Sequence, residues 1–399
     1  MAGQELPLAE RFGFGQNWQQ FLKGSFSEER TEIARRHLLA FLKLDRLDGL
    51  SFLDIGSGSG LHSLAAFLSG AARIVSFDFD PNSVAATRAL WHAAGEPAHW
   101  TVRQGSVLDP EFCESLGRFD IVYAWGCLHH TGDQWTAFRH AAERTLPTGR
   151  FYVALYCSTA FLDPSPDEWL AIKKRYNRCG PVRRRLMEAA HIWASYCHRD
   201  WRLLLKLPQI ARNYKASRGM EMMADVRDWL GGWPMEFSSL PDVTSAAAGL
   251  GLVLVGLASG EANFEYLFTF ETNVAALGLP PIHADTCLTL PLLRNVREIA
   301  EDRDFYVFGT AQGARLLLTA LRKTRGLGRF AGFIDLEQSG TLDGVPILSF
   351  DRFVASASKD SVVILSNSYV TENADRLKDH GFHAIQNGHP LVQKLNARR

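Results

Sequence analysis

Two acidic residues placed at the ends of apolar runs define the chemistry of the N-terminal half of this chain. In Phe52-Leu53-Asp54-Ile55-Gly56-Ser57-Gly58-Ser59-Gly60 an apolar run ends in Asp54 and breaks into alternating glycines. Glycines suit a loop whose backbone a ligand must approach closely, because a Cβ would stand in the way. A second apolar run, Ile74-Val75-Ser76-Phe77, ends in Asp78, which lies at the distance downstream where a first βαβ unit carries a ribose-binding carboxylate. No Lys-Ser or Lys-Thr follows Gly60, which speaks against a P-loop.

This pattern suits either a dinucleotide or S-adenosylmethionine, and Asp54 separates the two. A carboxylate beside the loop repels a pyrophosphate and attracts the ammonium and sulfonium of S-adenosylmethionine. On these residues the stretch resembles motif one of the class I S-adenosylmethionine-dependent methyltransferases, commonly Asp-x-Gly-x-Gly-x-Gly. The resemblance implies that Asp54, Gly56, Ser57 and Gly58 hold the methionine end of the cofactor. It implies that Asp78 holds the ribose hydroxyls and that Phe79 lies against the adenine. Ser106 and Val107 stand where the family's third loop contacts the adenine edge, and Trp125 is counted with the cofactor's neighbours. Asp80 and Asp109 each precede a proline and are read as helix N-caps.

The run Phe119 to Trp125 leads into Gly126-Cys127-Leu128-His129-His130-Thr131-Gly132-Asp133. Ligands sit outside the carboxyl ends of strands in such sheets, so His129 and His130 are candidates for the base that takes a proton from an acceptor hydroxyl, with His130 preferred. The structural alternative is that they hydrogen-bond the backbone of the turn. Further upstream, Phe14-Gly15-Gln16-Asn17-Trp18 is similar to a Phe-Gly-x-Asn-Trp string of a bacterial subgroup of these enzymes. It is read as a lid in which Asn17 and Trp18 cover the methionine end, or else as an arm packed on the domain. Asp228-Trp229-Leu230-Gly231-Gly232-Trp233-Pro234 resembles the same subgroup, and the likeness spans residues 10 to 270. Arg218, Trp229, Trp233 and Glu236 are the candidate acceptor-binding residues, since glycines between tryptophans beside carboxylates suit a rigid shelf for a sugar ring, or else a packed corner.

The elements that must position these residues follow from periodicity. Residues 1–50 are helical in pattern and are read as an N-terminal lid. Residues 51–155 alternate strand and helix as a parallel sheet requires, within a domain of 51–271 that carries a helical insertion at 157–238. The fold expected is α/β: a seven-stranded Rossmann-like methyltransferase sheet with a helical insertion, followed by a smaller C-terminal Rossmann-like domain at 304–399. A linker, 272–303, carries Pro280-Pro281. The last domain resembles a small Rossmann-like module found beside sugar-modifying enzymes of bacterial polysaccharide clusters. It reads Gly309-Thr310-Ala311-Gln312-Gly313-Ala314 where that module shows Gly-x-Gly-x-x-Gly, a departure that disfavours dinucleotide binding, and Asp335 as a ribose ligand with it.

Composition narrows the partners. Lys plus Arg equals Asp plus Glu at 43 each among 399 residues, so no global field draws the chain to nucleic acid. Locally, Lys173 to Lys206 holds ten Lys or Arg against Glu188 and Asp200, which reads as a solvated helix face or as a surface for a phosphorylated acceptor or an anionic membrane. Six scattered cysteines with no Cys-x-x-Cys argue against a disulfide framework and a zinc site. Without a long apolar span or a signal pattern, a cytoplasmic protein is expected. The function expected is S-adenosylmethionine-dependent O-methylation of a sugar hydroxyl on a nucleotide-linked or cell-envelope glycan. An N- or C-methyltransferase of a small metabolite and a non-catalytic binding protein are the alternatives.

Overall fold

The structure is a computed structural model that describes residues 11–24, 26–158, 164–197, 201–218, 222–259, 262–282, 289–299, 303–310, 312–324, 329–336 and 338–397. It contains two compact units, one of Met1–Val255 with Ala262–Pro280, the other of Gly256–Glu261 with Pro281–Arg399.

In the first unit, helices α1 (Phe14–Gly24) and α2 (Glu28–Leu42) precede β1 (Ser51–Ile55), α3 (Leu61–Leu68), β2 (Arg73–Asp78), α4 (Pro81–Ala93), β3 (Trp100–Gln104) and α5 (Pro110–Leu116). Then come β4 (Phe119–Trp125), α6 (Gln134–Ala142) and β5 (Thr145–Tyr156). The insertion carries α7 (Pro166–Arg178), α8 (Pro181–His191), α9 (Trp201–Leu204), α10 (Leu207–Arg218) and α11 (Met222–Gly231). The unit closes with α12 (Leu240–Ala248), β6 (Leu252–Ser259) and β7 (Asn263–Phe270).

The sheet order is β3-β2-β1-β4-β5-β7-β6. Strands β1 to β5 pair in parallel, and β7 runs antiparallel to β5. Phe52, Leu53 and Ile55 are all buried, as a strand covered on both faces requires. Helix starts are fixed locally: Asp80 accepts from the Asn82 N–H ahead of α4, Asp109 from Phe112 ahead of α5, and Asp133 from Thr136 ahead of α6. The order reverses at β1, which has β2 on one side and β4 on the other. The carboxyl ends of β1, β2 and β4 therefore border the crevice where ligands of open α/β sheets bind.

Three expectations are corrected. The N-terminal 50 residues are not all lid, because α2 buries Leu38, Phe41 and Leu42, and the Phe41 ring lies 4.4 Å from Tyr152 of β5. The helix after Asp133, which the sequence pattern carries from Gln134 to Leu146, stops at Ala142, because β5 already begins at Thr145, which pairs with Phe119. Residues 289–299, expected in the linker, send Leu293, Val296 and Ile299 into the core of the second unit.

That second unit has a six-stranded sheet of β8 (Phe305–Phe308), β9 (Phe330–Asp335), β10 (Gly340–Leu342), β11 (Val345–Ser349), β12 (Val362–Leu365) and β13 (Ile385–Asn387). Its order is β10-β11-β9-β8-β12-β13, parallel except for β10 against β11. Asp335 ends β9, and its carboxylate accepts from the Thr310 hydroxyl in the turn after β8.

Candidate functional site

The loop between β1 and α3 bends through positive φ at Gly56 and Gly58, +69° and +55°. A Cβ on Gly56 would stand 2.5 Å from the Cys127 Cβ, and one on Gly58 3.0 Å from Trp18 Nε1. The loop is thus pressed between the turn after β4 and the indole of α1. Asp78, at the end of β2, accepts from the Gly58 N–H at 3.0 Å and the Asp80 N–H at 2.9 Å. Burial raises its pKa to about 6, and the N–H groups of Asp80 and Gly58 oppose the rise. Asp54 turns beneath the loop. Its carboxylate accepts from the Ser63 hydroxyl of α3, which lies 2.6 Å from Ser76 Oγ, itself the acceptor of Trp100 Nε1 at 2.8 Å. Burial raises Asp54 to about 7, against the Ser63 hydrogen bond.

Other residues named for the cofactor lie around this cradle. Ser57 Oγ is 2.9 Å from Thr87 Oγ1 on α4. The Arg11 guanidinium lies 4.3 Å over the Phe79 ring. Ser106 Oγ accepts from the Leu108 N–H, and the Val107 carbonyl is 2.8 Å from His140 Nδ1. Trp125 is 39% exposed at the end of β4.

Beyond β4 the chain makes a single turn, Leu128–His130, and the two histidines part. His129 is fully buried, its ring 4.0 Å from that of Tyr156, and neither ring nitrogen has a hydrogen-bond partner among the described residues. Burial holds it far below the ordinary histidine range. His130 Nδ1 lies 2.7 Å from the Pro234 carbonyl. A carbonyl only accepts, so Nδ1 carries the proton and Nε2 keeps its lone pair. Burial lowers this imidazole to about 4, against the pull of the Pro234 carbonyl. It is therefore neutral at pH 7.

The segment from Asp228 to Glu236 gathers these parts. Asn17 of α1 donates to the Asp228 carboxylate, and the Phe12 N–H donates to the Trp233 carbonyl at 2.9 Å. The Trp229 ring stacks 5.9 Å from Tyr156 and lies 5.6 Å from Trp169. Lys173 of α7 is buried between these two tryptophans, with Nζ 5.9 Å from each ring and donating to the Trp229 carbonyl. Burial lowers Lys173 and raises Asp228, so both are driven toward their neutral forms. Lys174 Nζ stands 5.3 Å from the Trp233 ring. Glu236 backs the turn: its N–H donates to the His129 carbonyl and its carboxylate accepts from the Gln134 N–H at the start of α6. The side chain of Arg218 lies outside the described residues.

Residues 26–205 match the family described as "Methyltransferase domain". That stretch is similar to the methyltransferase domains of S-adenosylmethionine-dependent enzymes. S-adenosylmethionine is the cofactor of that family. Among curated proteins, the ribosomal protein L11 methyltransferase of Xanthomonas campestris pv. campestris is 42% identical over 64 residues, 16% of this chain and 21% of that one. The chain thus spans about a fifth of the length of that curated relative. Solved structures similar to it include an O-methyltransferase family protein from Burkholderia thailandensis, at 14% identity and TM-score 0.37, covering 60% of this chain and 57% of that one. Magnesium protoporphyrin IX methyltransferase from Synechocystis PCC 6803 with bound SAH is 13% identical at TM-score 0.38, covering 64% and 94%. A SAM-dependent methyltransferase from Anabaena variabilis is 11% identical at TM-score 0.41, covering 68% and 99%. Likeness at this level carries nothing about the acceptor.

The sequence pattern missed Phe14, Tyr156, Lys173 and Asp228 as members of the candidate site. Phe14 packs 4.9 Å from His130. Lys173 did leave a signal: Trp169, Lys173 and Tyr176 share one buried face of α7 at helical spacing, and a lysine inside an apolar stripe needs a partner.

Proposed function

We propose that this methyltransferase transfers a methyl group to a sugar hydroxyl of a nucleotide-linked or cell-envelope glycan in the cytoplasm, with its insertion available to an anionic membrane surface. The β1–α3 cradle fits the cofactor on its own features: two glycines where a Cβ would collide, and Asp78 beside them with carboxylate lone pairs to offer a ribose. Gly56, Ser57 and Gly58 would hold the methionine end, with Asp54 acting from beneath the loop. Asp78 would take the ribose, Phe79, Ser106 and Val107 the adenine, and Asn17 and Trp18 would close over them with Trp125 nearby. When bound, S-adenosylmethionine supplies an electrophilic methyl carbon on a sulfonium whose departure leaves a neutral thioether.

The observation that carries the reading is the His130 tautomer. With Nδ1–H committed to Pro234, Nε2 is the free lone pair at the strand end where an acceptor hydroxyl would lie. His130 then takes the hydroxyl proton as the acceptor oxygen bonds to the methyl carbon, an assistance worth roughly 10²–10⁴-fold. His129 packs behind it. Trp229, stacked on Tyr156, would border the acceptor at its ring edge together with Trp233 and Arg218. Holding acceptor and methyl in line while excluding water supplies the rest.

The test has two stages. Calorimetry of the purified protein with S-adenosylhomocysteine should give measurable binding, and its absence removes the enzyme reading. Methyl-labelled cofactor should then be offered to activated sugars, envelope extracts and small metabolites. Label in the sugar fractions is expected; label confined to nitrogenous metabolites overturns the glycan acceptor.

A further inference from the structure

The insertion turns part of its apolar surface outward. Helix α8 packs Met187 inward and buries Glu188, which accepts from the Tyr176 hydroxyl and pairs with Arg227 at 3.3 Å. On its other side Val182 and Leu186, one turn apart, are 74% and 66% exposed. The following stretch repeats the arrangement. Leu203 packs against the insertion core, while Trp201 and Leu205 are 63% and 79% exposed. Helices of a water-soluble domain carry polar side chains on such faces. Here the apolar residues stand among bases, Arg183 and Arg185 on α8 and Arg202 and Lys206 beside Trp201 and Leu205. Among the described residues no carboxylate pairs with Arg183 or Arg185. The one carboxylate that α8 carries, Glu188, is turned inward.

We propose that these exposed apolar and basic side chains of the insertion dock on an anionic lipid surface. Aliphatic side chains and an indole enter the boundary between headgroups and acyl chains, while arginine and lysine reach the lipid phosphates on long stems. Charge complementarity decides the occupant: exposed apolar groups ringed by bases, Arg183 and Arg185 among them without a carboxylate partner among the described residues, match a surface that is apolar beneath and uniformly anionic above. The contact is peripheral, since no described helix is long and apolar enough to cross a membrane. The test reads vesicle binding and not methyl transfer, so it stands whatever the acceptor proves to be.

The full chain is sedimented with phosphatidylcholine vesicles and with vesicles that also contain phosphatidylglycerol. It should partition onto the anionic vesicles alone, and added salt should release it as the charges are screened. R183E/R185E should lower partitioning at least about 30-fold, reckoned from the contribution of each basic side chain near a membrane. L186D/L205D should also lower it, whereas R183K/R185K should keep it. Circular dichroism confirms that each variant is folded, and the salt titration of the unaltered protein needs no variant. Three results each overturn the proposal: no binding to anionic vesicles, equal and salt-insensitive binding to both kinds, or a dimer of the free chain that L186D/L205D dissolves.

Discussion

Replacing Asp78 by Asn removes one negative charge and one acceptor oxygen from the end of β2 with almost no change in volume. Both carboxylate oxygens are in use, Oδ2 on the Gly58 N–H at 3.0 Å and Oδ1 on the Asp80 N–H at 2.9 Å. An amide has one acceptor oxygen, so one of those N–H groups would face an NH₂. The cofactor's ribose would lose a charge-assisted acceptor, worth about 1.5–3 kcal/mol. At about 1.4 kcal/mol per factor of ten, the Kd for S-adenosylhomocysteine should rise about 10- to 100-fold by calorimetry. The pH dependence sharpens the test. Burial places Asp78 at about 6 in the free protein, and the ionised form is the one that accepts from hydroxyls. Affinity should be level above pH 6 and fall as the pH drops below it, and the variant should lose that limb. Linkage to folding has the opposite sign. An acid whose folded pKa lies above its unfolded value stabilises the fold below the unfolded value and loses that contribution as pH rises through about 6. At pH 7 the loss of the buried charge and the N–H left facing the NH₂ oppose each other, so the thermal midpoint of the ligand-free protein should move little. A Kd and a pH profile equal to those of the unaltered protein would refute the assignment of Asp78 to the ribose.

Gly56→Ala sets a left-handed conformation, at roughly 1–2 kcal/mol, against a collision with Cys127 of roughly 1–3 kcal/mol. Urea unfolding should show a loss of about 2–5 kcal/mol for the two combined. His130→Ala should lower turnover by about 10²–10⁴ in single-turnover assays with labelled cofactor while calorimetric affinity for S-adenosylhomocysteine is kept; unchanged turnover returns His130 to the turn. Lys173→Met and Asp228→Asn should be non-additive in denaturant unfolding by about 0.5–3 kcal/mol, because the two groups share one desolvated site. Leu293→Ala should destabilise the second unit by about 2–5 kcal/mol in scanning calorimetry, whereas a linker leucine would shift it by less than about 0.5 kcal/mol.

Legibility in the sequence follows the range of the interactions involved. The loop proposed for the cofactor could be picked out in the sequence because its parts are local: the acid, the glycines and the next strand's acid occupy fixed offsets in one βαβ unit. Much of the sheet was readable for the same reason, since strands such as β1 and β4 carry short apolar runs, Phe52-Leu53 and Ile121-Val122. The linker was misjudged in part because 289–299 has no regular period, and only the second unit's core shows what Leu293, Val296 and Ile299 are for. Asp54 illustrates a subtler limit. Its position was legible, but its bond to Ser63 depends on the rotation of α3 over β1, which no spacing encodes. The acceptor side was least readable of all. Asn17 meets Asp228 across 211 residues, and His130 meets Pro234 across 104.

That long-range half of the site shares one electrostatic property. His129, His130 and Lys173 are lowered and Asp228 and Tyr156 are raised, each with burial as the leading cause. A pocket that drives every group toward neutrality offers little net charge of its own to an acceptor. A histidine near 4 is also a poor base toward a free alcohol, which at first argues against its role. The proposed attack removes the difficulty. As the acceptor oxygen bonds to carbon it becomes oxonium-like, and its proton turns far more acidic than an imidazolium. Even a depressed imidazole then takes the proton downhill, provided that its lone pair already faces the oxygen. What His130 must supply is geometry rather than basicity, and the Pro234 carbonyl that fixes its tautomer supplies that. The same low polarity holds His130 in the neutral form that can accept a proton, from mildly acidic to alkaline pH. The depressed pKa is thus compatible with base function in this reaction, and would be disabling in one that required the alcohol to be ionised before attack.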